Sequence, residues 1–426
     1  VSLPLGPRLP RALQALGWTN RALPWLERCR ERYGDAFTLR IRHWGDWVIL
    51  ADPADVKAVF TAGEKVGVAL ANPLLGPLLG PHSLMLSEEP EHMRRRRIVL
   101  PAFHGEAIAN DASTIVDVAR REVAAWPAGE PFALWPRMQA VTLEIVMRAV
   151  FGPRADDSRL DPLRRHLTEL TGWLNQPRNL AALTLLGPEW VRRSHAYHQA
   201  MRPVEDEALA EVRRRRSEPE PERPDVVAML IAARREDGSP LGESELRDEL
   251  VTLLSDGPTS SSLAWAFERL LRNPETLARA RREIEEGRDE YLDAVVKETL
   301  RLRPPVPVLV RTLREPMHLA GRDLPAGTVV APCIHLIHRD PTHYPEPLRF
   351  RPERFLERPA GTYTWIPFGG GVRRCIAAGY AELEMKRVLR EVLTAVDLRP
   401  VDGRDERVRK AAISFSPGEK GLVMVG

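Results

Sequence analysis

The sequence predicts a mainly α-helical protein with a small β region, on three observations. Apolar residues recur at helical spacing through most of residues 111–302. Runs rich in strand-forming residues are short, and the first pair lies within about 33–51. Neither a repeat nor a low-complexity tract divides the 426 residues, so one domain over 1–426 is expected although the length exceeds the usual single core. With 43% apolar and 28% charged residues, a large core is available.

The bulk properties exclude several function classes. A net charge of +3 is too small to argue for nucleic acid. Cys29, Cys333 and Cys375 form no C-x-x-C pair and no disulfide framework, which fits a reducing cytoplasm. No stretch has the apolar length of a membrane span. Pro4, Pro7, Pro10 and Pro24 interrupt residues 1–26, which read as neither signal peptide nor membrane anchor. A cytoplasmic monomer is expected.

In chain order, Trp25–Arg32 reads as a short helix ending at Gly34. Ala36–Ile41 and Trp47–Ala51 read as two strands about the turn His43-Trp44-Gly45-Asp46. Asp52-Pro53 opens the next helix. Residues 66–90 are irregular but leucine-rich, with Leu75 and Leu79 among them, so they pack as a lid or line a pocket. Glu91–Arg97 follows, with His92 and Arg96 on one helical face; both side chains are apt partners for a carboxylate. Arg94, Arg95 and Arg97 read as a solvated basic face. Val141–Phe151 is apolar enough for a buried helix, and Gly152 stops it. Residues 163–201, Leu174 included, suggest two helices around an apolar turn, and 217–224 a surface loop.

One long helix is expected from near Gly242 to Asn273, carrying Leu254 on its apolar face. Pro258 cannot donate to the carbonyl of Leu254, so a kink and a free acceptor are expected there. The polar centre around Asp256, Thr259 and Ser260 suggests a site for water or ligand. Tyr291–Leu302 is the next helix, with Glu298 and Arg301 on one face. Val308-Leu309-Val310-Arg311 reads as a strand, His335 and His338 as packing or surface residues, and Ile413–Gly418, with Phe415, as a hairpin tip.

The most informative stretch is Phe368-Gly369-Gly370-Gly371-Val372-Arg373-Arg374-Cys375-Ile376-Ala377-Ala378. Consecutive glycines permit a loop whose N–H groups converge on one point. A thiolate there, at the start of a helical pattern and beside Arg373 and Arg374, is stabilised by the helix dipole and by charge. Phe368 can shield the sulfur, and the small Ala377 lets a flat cofactor lie close.

This stretch resembles the haem-binding loop of the cytochrome P450 family, F-G-x-G-x-R-x-C-x-[GA], filled in register by Phe368, Gly369, Gly371, Arg373, Cys375 and Ala377. The resemblance implies the P450 fold and haem b (iron protoporphyrin IX), with Cys375 as axial thiolate ligand. It implies that His92 and Arg96, resembling the family's H-x-x-x-R, hold the haem propionates with Arg311 and Arg373. Arg354, in Pro352-Glu353-Arg354-Phe355, resembles the family's P-E-R-F, and the resemblance joins it to Glu298 and Arg301 in a structural network. Leu75, Leu79, Leu174, Leu254, Val308, Leu309 and Phe415 are then expected to line the substrate site. Family members split O2 with two electrons from a partner and insert one oxygen into an apolar substrate. Here a ferredoxin or flavodoxin with an NAD(P)H-dependent reductase is expected, and a terpenoid, carotenoid or fatty acyl substrate.

One departure stands out. The family's central helix usually reads [AG]-G-x-[DE]-T-[ST], whose acid and hydroxyl guide protons to bound dioxygen. Here Gly257 and Pro258 take those places. Asp256, Thr259 and Ser260 become the candidate proton relay, with ordered water. A peroxide-driven peroxygenase and a non-catalytic haem-binding or carrier protein stay open as alternatives.

Overall fold

The computed structural model describes residues 2–68, 75–103, 106–156, 158–218, 225–235, 237–255, 258–411 and 414–426. The chain begins with α1 (Arg11–Tyr33), β1 (Ala36–Ile41), β2 (Gly45–Leu50), α2 (Pro53–Thr61), β3 (Val66–Gly67), α3 (Leu75–Leu79) and α4 (Glu91–Val99). A helical body follows: α5 (Glu106–Ala124), the short β4 (Phe132–Ala133), α6 (Leu134–Phe151), α7 (Asp161–Leu174), α8 (Pro177–Leu186), α9 (Pro188–Arg193), α10 (His195–Arg216) and α11 (Val226–Ala232). It continues through α12 (Glu243–Leu254), α13 (Pro258–Leu271), α14 (Pro274–Glu285) and α15 (Glu290–Leu302). The last part holds β5 (Arg311–Leu313), β6 (Met317–Leu319), β7 (Arg322–Leu324), β8 (Val329–Pro332), α16 (Ile334–Ile337) and α17 (Arg354–Glu357). It ends with α18 (Ala378–Ala395), β9 (Leu398–Pro400), β10 (Val408–Ala411), β11 (Ser414–Pro417) and β12 (Leu422–Val425).

The strands make one main sheet of order β1-β2-β8-β5-β3, beside a β4-β12-β9 sheet and the hairpins β6-β7 and β10-β11. In the main sheet β1 and β2 pair antiparallel, β2 and β8 parallel, and Arg311 of β5 sits opposite Val330 of β8. The largest apolar cluster lies among the body helices, and two smaller ones flank the main sheet. Among the described residues no helix is long and apolar enough to cross a membrane.

Local chemistry accounts for some helix ends. Asp52 caps α2, its Oδ1 accepting from the N–H groups of Ala54 at 2.7 Å and Asp55 at 3.2 Å, with Pro53 as the first helical residue. Gly152 ends α6 with φ 56°, a conformation that disfavours any residue with a Cβ.

Four expectations need correction. The N-terminal helix is longer than Trp25–Arg32: it starts at Arg11 and breaks at Arg21 (φ −144°), so that Pro24 falls in the first turn of its second segment. Residues 163–201 hold α7, α8, α9 and the start of α10 rather than two helices, because Pro177 and Pro188 each start a new one. The long central helix is two helices, α12 and α13, interrupted after Leu254 and resumed at Pro258, so the kink becomes a break. Val308–Val310 lies outside the strand, which begins only at Arg311, although the Leu309 N–H donates to Pro332 O at 2.9 Å.

A buried polar network ties α15 to the segment that precedes the Cys375 loop. Glu298 and Arg301 are both fully buried. Arg301 donates to Glu298 at 2.7 and 2.9 Å and to the carbonyls of His338 and Pro347 at 2.8 Å each. Arg354 donates to the same carboxylate at 3.1 Å, and the Arg351 N–H does so at 2.8 Å. His338 extends the network: its Nδ1 faces the Arg301 carbonyl at 3.3 Å and its Nε2 accepts from the Ile366 N–H at 2.9 Å. Both His335 and His338 are interior residues, not surface ones.

Burial, helped by Arg339 and Arg301 respectively, pulls the pKa of His335 from 6.5 to about 4 and that of His338 to about 3. An unfolded chain protonates these rings below pH 6.5, whereas the folded one keeps them neutral to about pH 4 and about 3. The unfolded state therefore binds more protons in that window. Stability should fall as pH drops from about 6.5 toward 4, by about 1.4 kcal/mol per pH unit for each ring. Denaturant unfolding across this range should show the slope, and His338→Gln should flatten it; an unchanged slope in that variant would exclude His338 as a source.

Candidate functional site

The glycines before Cys375 let the backbone press against α2. Gly369 and Gly371 have φ of 70° and 67°, the region that favours glycine. A Cβ on Gly371 would overlap the carbonyl oxygen of Phe60, and one on Gly370 the Phe60 ring. A Cβ on Gly369 would stand 3.0 Å from a Leu309 methyl, which places Leu309 against the loop. The loop closes through Gly369 N–H to Ile366 O at 3.0 Å and Cys375 N–H to Phe368 O at 2.9 Å. Phe368 packs edge-on against Trp365, with ring centroids 6.2 Å apart, and Trp365 Nε1 donates to Lys297 O at 3.1 Å, anchoring the loop to α15.

Cys375 is exposed, whereas Cys29 and Cys333 are buried. Burial pushes the Cys29 thiol up to about 11 and the Cys333 thiol up to about 12, so neither readily becomes a thiolate. The helix after Cys375 starts later than its sequence pattern suggests: α18 begins at Ala378, with Ala377 in the capping place. Cys375 therefore precedes the helix rather than opening it.

Beside this loop four basic side chains from three elements converge. His92 and Arg96 come from α4, Arg311 from β5 and Arg373 from the loop. His92 is held by Glu89, Nδ1 to Oε1 at 2.7 Å, yet burial and the Arg373 charge keep its pKa low. Arg373 donates to Ser87 O at 2.9 Å and to Glu88 at 3.4 Å. Arg311 is buried, and among the described residues its guanidinium donates only to the adjacent Val310 carbonyl at 2.9 Å; burial and Arg373 depress its pKa to about 10. Arg96 makes no hydrogen bond or ion pair to a described residue; burial lowers its pKa, and Cys375 partly offsets this. This cluster is short of negative charge, and each guanidinium retains donors that match a carboxylate.

Arg95 leaves the solvated face expected for it. It is buried and donates to Glu91 at 2.8 Å, Glu245 at 2.8 Å and Glu249 at 3.1 Å, locking α4 to α12. Arg97 is exposed as expected. Glu88 and Glu89 join this cluster from outside α4, which begins at Glu91, so no helical spacing in the sequence marks them.

At the start of α13, Thr259 is half-buried and Ser260 fully buried; Asp256 and Gly257 lie outside the described residues. Ser261 Oγ lies 3.3 Å from Ser414 Oγ, and Trp265 Nε1 donates to Phe415 O at 3.1 Å, so the β10-β11 hairpin is fastened to α13.

The seven apolar residues expected at the substrate do not form one patch. Leu75, Leu79 and Leu254 belong to the helical cluster, with Leu174 packed on it. Val308 and Phe415 share a second cluster beside α1 and the main sheet, and Leu309 packs on the third. Leu174 also lines a narrow apolar cleft with Leu78, Trp173, Leu180, Leu183 and Tyr197.

The family model described as "Cytochrome P450" matches residues 4–421. A Mycobacterium tuberculosis protein named cytochrome P450 135B1 is 40% identical over 440 residues, covering 100% of this chain and 92% of that one. Proteins named cytochrome P450 137 and 138 from the same organism are each 35% identical, covering 97% and 100% of this chain and 89% and 96% of their own. Among solved structures, a cyanobacterial protein described as "Retinoic acid bound cyanobacterial CYP120A1" superposes with a TM-score of 0.84, at 24% identity and over 100% of both chains. A family match over nearly the whole length, joined by relatives at such identity, settles the matter of descent: the chain belongs to the cytochrome P450 family.

Proposed function

We propose that this cytochrome P450 hydroxylates a large apolar substrate of terpenoid, carotenoid or fatty acyl type, drawing two electrons from a ferredoxin or flavodoxin and its NAD(P)H-dependent reductase. As a family member it is a haem-binding monooxygenase. The observation that carries the site assignment is the charge imbalance beside the Cys375 loop. Arg96 and Arg311 have no carboxylate partner among the described residues, and the two haem propionates match that pair of guanidiniums. His92, Arg96, Arg311 and Arg373 are thus assigned to the propionates, and Cys375, the exposed cysteine, to the iron. Phe368, Gly369 and Ala377 shape the loop against the cofactor. Thiolate-bound haem, once in place, supplies the activation of dioxygen and the oxygen insertion.

The chain's own residues position substrate, exclude water and handle protons. Leu309 abuts the loop, while Val308 and Phe415 pack together in a separate apolar cluster. The leucine-rich cleft under α8 supports a lipophilic substrate. At the α12–α13 break Gly257 and Pro258 offer neither carboxylate nor hydroxyl. Water held near Asp256, Thr259 and Ser260 is assigned to proton delivery there.

Four measurements test these statements. Turnover of a lipophilic panel with NADPH and a surrogate ferredoxin chain should proceed, whereas hydrogen peroxide alone should support little; the reverse would establish the peroxygenase reading. Cys375→His should abolish the red-shifted Soret band of the reduced carbon monoxide complex, and Arg96→Leu should lower haem retention far more than Arg97→Leu. Retention of the band, or equal haem content in the two arginine variants, would overturn those assignments. Thr259→Ala and Asp256→Asn should each lower coupling of electrons to product by less than about tenfold, with peroxide released instead; a loss of about a hundredfold or more would identify that side chain as an obligatory proton donor.

A further inference from the structure

We infer that Glu89 fixes the ring proton of His92 on Nδ1, so that a haem propionate is held at Nε2 only as His92 takes up a second proton, and haem retention weakens as pH rises. This rests on the assignment of His92 to a propionate and adds a proton to it.

Glu89 lies outside the H-x-x-x-R pattern and outside α4, yet it grips the start of that helix. Its Oε2 accepts from the Met93 N–H at 3.3 Å, and its Oε1 stands 2.7 Å from His92 Nδ1. Both side chains are buried, at 7% exposure for Glu89 and 5% for His92. A carboxylate only accepts, so the hydrogen between Oε1 and Nδ1 belongs to the ring. A neutral imidazole has a single N–H. With that N–H given to Glu89, Nε2 is a bare lone pair, and it has no hydrogen-bond partner among the described residues.

The surrounding charges keep the ring in that state. They are Glu88 and Glu89 from the segment before α4, Arg96 one turn along α4, Arg373 from the Cys375 loop and Arg311 from β5. Burial and the Arg373 charge, aided by Arg96, hold the His92 pKa below its ordinary 6.5 despite Glu89. A lone pair repels a carboxylate, whereas an Nε2–H donates to it. The two cases differ by one proton, which passes from solvent to Nε2 and leaves an imidazolium with the propionate as counterion. Arg96, Arg311 and Arg373 already carry donors and need no such step. Cys375 runs the other way, since a thiol that becomes a thiolate ligand gives up a proton.

Glutamine at either position separates this role from simple support. In Glu89→Gln the side-chain amide can donate to Nδ1. The ring is then free to carry its one proton on Nε2 and meet a propionate without uptake. In His92→Gln the side-chain N–H donates with no titration at all.

The test is haem partition at equilibrium between holoenzyme and a haem-scavenging apoglobin, read by absorbance from about pH 6 to about pH 8.5. Dividing by the His92→Gln value at each pH cancels the globin and the Cys375 thiol. The wild-type ratio should fall by up to about tenfold per pH unit above 6.5, and Glu89→Asp should keep that slope. Glu89→Gln should lose the slope and hold haem more tightly than wild type at the alkaline end. A flat wild-type ratio, or an unchanged slope in Glu89→Gln, would overturn the proposal and leave the propionate assignment standing. Equal haem retention by wild type, His92→Gln and His92→Leu at every pH would remove the assignment and the proposal together. If His92→Gln fails to hold haem, the ratio of wild type to Glu89→Gln decides instead, and its independence of pH overturns the proposal.

Discussion

Two arginines share one fully buried carboxylate, Glu298, and much of the haem-side architecture hangs from it. Arg301 brings α15 to the carbonyls of His338, Pro347 and Arg349, while Arg354 reaches Pro345 and Glu346. The irregular segment 338–354 thereby acquires the order that regular hydrogen bonding gives helices. His338 passes that order to Ile366, three residues before the loop closes at Gly369. Removing one partner of such a buried set leaves charge without compensation, at a cost of about 3–5 kcal/mol. Cys375 owes its placement to this network as well as to its own glycines.

The site itself works by the opposite electrostatics. Around Glu298 each guanidinium has a carboxylate partner, shared between the two, and backbone carbonyls take the remaining donors; Arg311 and Arg96 have no carboxylate partner among the described residues. Burying a cation without a carboxylate partner is costly, and a bound anion relieves that cost. The contrast between the two clusters, both built largely of arginine, separates scaffold from binding site more clearly than residue type does.

Much of this was legible in the sequence because it depends on local spacing. The Cys375 loop, the His92–Arg96 pair and the Glu298–Arg301 pair are short-range patterns, and capping residues such as Asp52 and Gly152 mark helix ends by backbone chemistry alone. What stayed hidden depends on partners distant in the chain. Arg95 reads as one of four similar arginines until Glu245 and Glu249 of α12 are beside it. The break before Pro258 was legible as a disturbance, but a kink and a full interruption look alike when only the missing N–H is known.

The position of α8 carries a practical consequence. Its Thr184 hydroxyl meets Thr19 of α1 at 2.7 Å, and the carbonyl of Leu185 faces His43 Nε2 at 3.0 Å. The α8 side of the apolar cleft lined by Leu174 is therefore moored to the first fifty residues of the chain. An expression variant shortened at its start, or carrying a bulky fusion against α1, would slacken that mooring while leaving the Cys375 loop intact. Such a variant would still show the colour of a well-formed haem protein yet differ in how fast lipophilic ligands come and go, so spectral quality alone is a poor guide to whether its ligand kinetics are native.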